Sequence, residues 1–295
     1  MENTKLRASQ KYKKRSTFDS IWRQLRKNKG AIVGMILLVV IIIIALVSPY
    51  IFNYETDVIA NNVKERMQHP SSEHWFGTDT YGRDVFARVI HGSRVSLSIG
   101  VVTSLITLVV GGMLGAVAGY YGGAVDNIIM RIMDTFMCIP FMLLALAIVA
   151  SLGPSMTNLL IAITISNIPS TTRLVRSCIL TVVDQDYVEA AKSYCANDLR
   201  IIVKYILPNA MGPIIVNTTM GMASMILAAA GLSFIGMGIQ PPDPEWGSML
   251  SSARDFMRTS PYLLYIPGIA IVLSVLSINL VGDGLRDALD PKLKD

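Results

Sequence analysis

Charge is what this 295-residue sequence has least of. Asp, Glu, Lys and Arg make up 16% of it, against 52% hydrophobic residues, where a soluble domain carries about 25% charged residues. With a mean hydropathy of +0.49, the chain is expected to spend much of its surface in lipid. Cysteine is scarce as well: Cys138, Cys178 and Cys195 show no Cys-x-x-Cys spacing, so neither a disulfide framework nor a thiolate metal site is expected. The three histidines, His69, His74 and His91, lack ligand spacing and read as polar surface residues. No Gly-x-x-x-x-Gly-Lys-Ser/Thr loop is there to cradle nucleotide phosphates. Gly-x-Ser-x-Gly, His-Glu-x-x-His and paired membrane carboxylates are also missing. No cofactor or metal is therefore expected, and an intramembrane enzyme would have no nucleophile. Ion-coupled transport by the chain alone is disfavoured too, because its apolar runs carry almost no ionisable group at mid-depth.

Positive charge is gathered at the start. Ten Lys and Arg among the first 30 residues face only Glu2 and Asp19, and the whole chain has a net charge of +5. A basic arm can bind nucleic acid, but this one leads straight into an uncharged run, residues 31–52. The positive-inside rule accounts for it as the cytoplasmic flank of a first membrane helix, with Trp22 and Tyr50 near the two interfaces. The run is about 20 residues long, enough to span the hydrocarbon, and no small-x-small cleavage site follows it, so a cleaved signal peptide is not expected. Further spans are predicted over 95–121, 126–151, 158–181, 210–239 and 262–281. The segment Gly153-Pro154-Ser155 separates the third from the fourth, and Pro169 is expected to kink the fourth. The fold class is thus an all-α membrane protein with six transmembrane helices and both termini cytoplasmic.

Gly111, Gly115 and Gly119 recur every four residues and predict a close helix approach, within this chain rather than between chains. Arg131 and Asp134, three apart on one helical face, predict an ion pair. The polar segment 53–94 has its Lys and Arg outnumbered by Asp and Glu and is placed outside. Its Gly77-Thr78-Asp79-Thr80-Tyr81-Gly82-Arg83-Asp84 run reads as tight turns braced by pairing among Asp79, Arg83 and Asp84. Residues 240–260, rich in proline, are expected outside as well.

The most mixed-polarity interior stretch is 184–209. Asp186 with Glu189 three residues on reads as a capping box opening a short helix. Asn197 or Asp198 caps a second one, which Pro208 ends or turns into the next span. Two amphipathic helices joined by a bend make a knob that a soluble partner can hold in a groove; a charged loop lying on the membrane surface is the plainer alternative. Glu189-Ala190-Ala191, Leu199-Arg200-Ile201-Ile202 and Ile206-Leu207-Pro208-Asn209 resemble the EAA loop of ABC importer permeases. In that family Cys195 would usually be glycine, and a cysteine in the same left-handed bend costs roughly 1–2 kcal/mol. The Gly77–Asp84 run, with Arg94-Val95-Ser96-Leu97-Ser98, resembles the dipeptide, oligopeptide and nickel class of these permeases, and the likeness extends from Trp22 to Pro291.

The resemblance implies a type I ABC importer permease fold with a cytoplasmic two-helix coupling loop. Glu189, Ala190, Ala191, Cys195, Leu199, Arg200, Ile206, Leu207 and Pro208 would couple it to an ATPase, and Gly77, Thr78, Asp79, Gly82, Arg83 and Asp84 would form an extracytoplasmic motif. It also implies partners: a similar permease, two cytoplasmic ATPases, an extracytoplasmic solute-binding protein and the lipid bilayer, with no nucleic acid. Di- or oligopeptides are the expected substrates, and nickel chelates or glutathione the alternative. The expected organisation is a cytoplasmic arm (1–30), a first membrane helix (31–52), an extracytoplasmic segment (53–94), a membrane core (95–283) holding the loop 184–209, and a cytoplasmic tail (284–295), all in a bacterial cell membrane.

Overall fold

The computed structural model describes residues 17–289; most of the basic arm and the last residues of the tail lie outside them. Among the described residues the architecture is all-helical. Helix α1 (Thr17–Lys27) leads into α2 (Lys29–Ile51) at Asn28. The Asn28 side-chain oxygen accepts from the Ala31 amide at 3.1 Å, an N-cap, and its amide group donates to Asp287 at 2.9 Å. This start falls two residues before the expected one, because the cap rather than the first apolar residue sets it.

Helix α3 (Val85–Tyr121) begins ten residues before the predicted span. Asp84 caps it by accepting from the Ala87 amide at 2.9 Å. At 1.5 Å per residue its 37 residues run about 55 Å, so its first turns extend beyond one hydrocarbon thickness. The early residues look polar in sequence, yet Arg88 is buried and donates to the carbonyls of Val58 and Pro242 at 2.8 and 3.1 Å. A guanidinium satisfied in this way can sit inside a helical packing face.

The expected crossing at 126–151 is broken. Helices α4 (Gly123–Met137) and α5 (Phe141–Leu152) meet at 81°. Pro140 stands at the break; it lacks an amide hydrogen and pushes the preceding residue out of helical geometry. Gly153, at a φ of 89°, ends α5, and Ser155 caps α6 (Met156–Leu180) through the Asn158 amide at 3.1 Å. The Gly153-Pro154-Ser155 stretch is therefore a turn between helices. Helix α6 is continuous through Pro169.

Helix α7 (Asp186–Ser193) is followed by α8 (Asp198–Ile201), a π-helical turn (Ile202–Ile206) and α9 (Leu207–Phe234). Pro208 lies in the first turn of α9, where its missing N–H costs nothing within that helix, and the π turn ahead of it absorbs the ring. The 240–260 segment contains α10 (Trp246–Ala253), capped by Glu245, and α11 (Tyr262–Leu289) closes the fold.

Among the described residues four helical stretches are long and apolar enough to cross a membrane: Lys29–Ile51, Val85–Tyr121, Asp198–Phe234 and Tyr262–Leu289. The bent α4–α5 pair makes a fifth if it is one crossing. Helix α6 has the length, about 37 Å from its 25 residues, but is more polar. It packs along α3, and the glycine stripe is the seam: a Cβ at Gly115 would sit 2.5 Å from the Thr172 carbonyl, and one at Gly119 2.8 Å from Ile179 Cβ. The stripe thus serves packing within the chain. Charges tie α4 to α6 as well. Arg176 grips Asp126 through two bonds of 2.5 Å, and Arg173 reaches Asp134 at 2.6 Å. Asp134 was expected to pair with Arg131; Arg173 of α6, packed across from it, takes it instead through one charge-assisted bond.

Candidate functional site

The 184–209 stretch folds as two short helices with an inner and an outer face. Val188, Ala191, Ile201 and Ile206 are buried against Val175 and Ile179 of α6 and Ala116 of α3. Glu189, Ala190, Cys195, Arg200 and Pro208 are exposed, as are Tyr194 and Leu199 at 87% and 68%. The grouped residues thus divide: Ala191 and Ile206 hold the loop down, Leu207 is half-buried, and the others face out. The predicted capping box is not formed. Gln185 occupies the N-cap position without a side-chain bond, and Asp186 and Glu189 both fall in the first turn of α7. There their charges meet the positive end of the helix dipole instead of orphan amides. The second cap is as expected, with Asn197 accepting from the Leu199 amide at 3.0 Å. Cys195 keeps the left-handed bend at a φ of 52°, its amide donating to the Lys192 carbonyl at 2.9 Å. One tie had no signal in sequence: Tyr120 and Tyr121, at the end of α3, both donate to the Asp198 carboxylate, at 2.8 and 3.1 Å.

The Gly77–Asp84 run lies far from that loop in the chain and is held from several sides. Gly77 and Gly82 have φ of 74° and 76°. A Cβ on Gly82 would stand 1.7 Å from the Asn62 carbonyl oxygen, so only glycine fits this turn. Thr78 is buried; its hydroxyl accepts from the Gln68 amide at 2.9 Å and donates to the Glu65 carbonyl. Arg83 reaches Asp79 at 2.7 Å, and Arg88 reaches the same carboxylate at 3.6 Å. Asp84 joins His74 at 2.8 Å rather than an arginine, since capping α3 turns it away from Arg83. His74 also lies 3.5 Å from Glu65, so it is part of a brace and not a free surface residue. Tyr54 ties the segment to 240–245 through Asp243; its burial first, then this bond, push its phenol up to about 12. Glu245, expected in an external loop, is 1% exposed and accepts from the Gly247 and Ser248 amides at 2.8 Å.

Between α3, α6, α9 and α11, with Phe141 of α5 also in its lining, lies an open cleft of about 450 Å³ walled by asparagine, serine and threonine together with leucine and methionine. Asn167, Ser170, Thr171 and Leu174 face it from α6, and Asn217, Met220, Gly221 and Ser224 from α9. Both sets follow an i, i+3, i+4, i+7 spacing, one helical face. The polar members of those faces, set at helical spacing inside apolar runs, were the sequence signal for the cleft, and composition alone hides them. Asn279 completes the lining from α11. A second cavity of about 640 Å³ adjoins it, sharing Asn217 and Met220 and reaching Asn209 at the root of the 184–209 loop. The first cavity has no charged residue in its lining, and Arg286 is the one in the second.

A helical membrane protein with a polar cleft through its core and an outward-facing knob on one connection has the layout of a transporter's membrane subunit. Comparison with known proteins agrees. Residues 111–295 match the binding-protein-dependent transport system inner membrane component family, and residues 16–70 match the N-terminal TM domain of oligopeptide transport permease C. A dipeptide transport system permease protein of Alkalihalophilus pseudofirmus is 47% identical, over 95% of this chain and 91% of the relative. A glutathione transport system permease protein of Pectobacterium atrosepticum is 42% identical, over 95% and 93%. Among solved structures, a methionine ABC transporter in inward-facing conformations matches 70% of this chain and 97% of its own, with a TM-score of 0.56 at 18% identity, which speaks for the fold. The chain belongs to the family of binding-protein-dependent transport system inner membrane components, as a multi-pass membrane subunit.

Proposed function

We propose that this chain is a permease subunit of an ABC importer for di- or oligopeptides, pairing with a similar permease to form the pathway. Two cytoplasmic ATPases supply the energy and a solute-binding protein delivers the peptide. The observation that carries the reading is the 184–209 loop, whose inner face is anchored in the core while Glu189, Leu199 and Arg200 stand exposed. Such a knob moves with α6 and α9, its parent helices, so closure of the ATPases around it would tilt both and switch the cleft from one side to the other. Six crossings follow from counting α6 and the broken α4–α5 pair as one each. The polar stripe on α6 faces the cleft, so α6 has no need to be apolar all round. Both termini are then cytoplasmic, together with the loop.

Uptake by the assembled complex tests the reading. Radiolabelled dipeptide accumulating in an ATP-dependent manner is the expected result. Glutathione uptake alone would favour the second reading, which the glutathione relative motivates. Sidedness is tested by single cysteines at Glu73, Lys192 and Asp255 in a cysteine-free background, all three exposed. An impermeant thiol reagent on intact cells is expected to label 73 and 255 and to spare 192. Labelling of 192 from outside removes any contact with a cytoplasmic ATPase.

A further inference from the structure

The cleft carries amide side chains whose bonding capacity the fold leaves unused. Asn167 and Asn279 line it and make no hydrogen bond among the described residues. Asn217 donates to the Pro213 carbonyl at 3.2 Å, which leaves its side-chain oxygen free to accept.

Resting on the peptide-permease reading, we propose that this cleft is a binding site for the peptide main chain, read through the asparagine amides. A carboxamide presents one acceptor and two donors, the same complement that a peptide unit needs from a neighbouring strand. From Asn217 to Ser224 the cleft-facing side of α9, which also carries Met220 and Gly221, extends about 10 Å at 1.5 Å per residue, the length of about three residues of extended chain at 3.3 Å each. The volume, about 450 Å³, lies in the range of sites for small ligands. Absence of charge matters as much as the amides. A lining carboxylate or ammonium would hold one sign of side chain and repel the other, and in a partly desolvated site that preference is strong. With amides alone, the site treats Lys-bearing and Glu-bearing peptides alike, and selection among sequences is left to the protein that delivers them.

The test uses the complete complex in proteoliposomes, with its binding protein, and three labelled dipeptides: Ala-Ala, Ala-Lys and Ala-Glu. Each variant is compared with wild type peptide by peptide, so that the binding protein's own preferences cancel. Asn167→Leu and Asn279→Leu are each expected to lower transport about tenfold, the worth of a hydrogen bond, and to lower all three peptides equally. Asn279→Asp is expected to introduce a preference that wild type lacks, slowing Ala-Glu relative to Ala-Lys. Leu variants that transport at the wild-type rate, or that slow one peptide only, overturn the proposal. If a Leu variant fails to assemble, the Asp variant decides, and an unchanged Glu-to-Lys ratio in it also overturns the site. Should the wild-type complex take up none of the peptides, it is the peptide-permease reading that falls; silent variants in a working importer sink the amide site alone.

Discussion

The segment 53–84 and the loop 184–206 are two of the long connections in this molecule, and they are built on opposite plans. The first has little regular structure, with one π-helical turn and one 3₁₀ turn, yet nearly every polar group in its motif has a partner inside the chain. Asn62 donates to the Tyr81 carbonyl at 3.0 Å, Met67 to Asp79 at 3.1 Å, and the Tyr262 hydroxyl lies 2.9 and 3.0 Å from the carbonyls of Gln68 and Thr78. The second is helical, but its outer charges, Glu189 and Arg200, have no ion pair among the described residues, while Tyr194 and Leu199 are largely exposed. A connection that satisfies itself is complete in one chain. One that satisfies only its inner face is shaped for something else to hold. Order in a loop is thus a matter of where its hydrogen bonds end, and helix content is a poor guide to it.

The contrast predicts that damage to the first region appears as lost stability, and damage to the second as lost coupling in a folded protein. Gly82→Ala gives the largest effect. The new Cβ overlaps the Asn62 carbonyl and takes a φ of 76°, which together cost about 3–5 kcal/mol. The thermal midpoint of the purified complex is expected to fall sharply, or the variant to be absent from membranes. An unchanged midpoint would mean that the brace is not rigid.

Glu245→Ala comes next, at about 2–3 kcal/mol, because it removes an N-cap and leaves the Gly247 and Ser248 amides buried without partners. This carboxyl also gives a pH dependence with a definite sign. Burial raises it, against the pull of those amides, so the folded state holds its proton more tightly than the unfolded chain does. The resulting stability is complete below the ordinary carboxylate range and is lost as pH rises through the raised native value. Wild type is expected to lose thermal stability as the pH rises from the ordinary carboxylate range through the raised native value, and Glu245→Gln, neutral throughout, to lose less. Parallel curves for the two proteins would refute the assignment.

In the loop, Glu189→Gln is expected to leave the thermal midpoint within about 0.5 kcal/mol, as an exposed helical position does. Since no capping box is formed, the charge has no local role beyond the helix dipole. Transport and ATPase stimulation are expected to fall about tenfold, the worth of one charge-assisted bond to a partner. Full activity in the Gln variant would return Glu189 to a role in α7 alone. Asp198→Asn weakens both tyrosine bonds and is expected to lower transport per ATP hydrolysed about fivefold, the equivalent of about 1 kcal/mol; an unchanged ratio would mean that the loop does not act on α3 through them.

What was legible in the sequence was local. Uncharged runs marked the long helices, the Gly111–Gly119 spacing marked a close approach, Asn197 marked a cap, and Gly153-Pro154 marked a turn. What was hidden depended on residues far apart in the chain. Arg88 could be buried only because Val58 and Pro242 supply carbonyls. Asp134 left Arg131 for an arginine 39 residues away. The break at Pro140 did have a local cause, which the uncharged run around it concealed. The cleft's asparagines read singly as blemishes in apolar spans, and only the fold brings Asn167 of α6, Asn217 of α9 and Asn279 of α11 into one lining.

The smallest effect is the sharpest comparison, since Cys195 and Gly82 both occupy left-handed backbone. Gly82 is walled in by Asn62, whereas Cys195 is exposed. At Cys195 only the backbone term applies, about 1–2 kcal/mol for a residue with a Cβ. Glycine removes that strain but enlarges the entropy of the unfolded chain by about 0.4–1 kcal/mol. Cys195→Gly is therefore expected to stabilise by about 0.5 kcal/mol and to keep transport. Cys195→Ala retains the Cβ and should match wild type in both, and Cys195→Val, with a branched Cβ in the same bend, should fall below it. Activity surviving in Ser but lost in both Gly and Ala would show that the polar atom matters, and the bend would no longer explain the residue. Equal activity in the Gly and Ala variants leaves position 195 tolerant of a side chain with or without a Cβ, where position 82 accepts none, as the exposure of Cys195 leads one to expect.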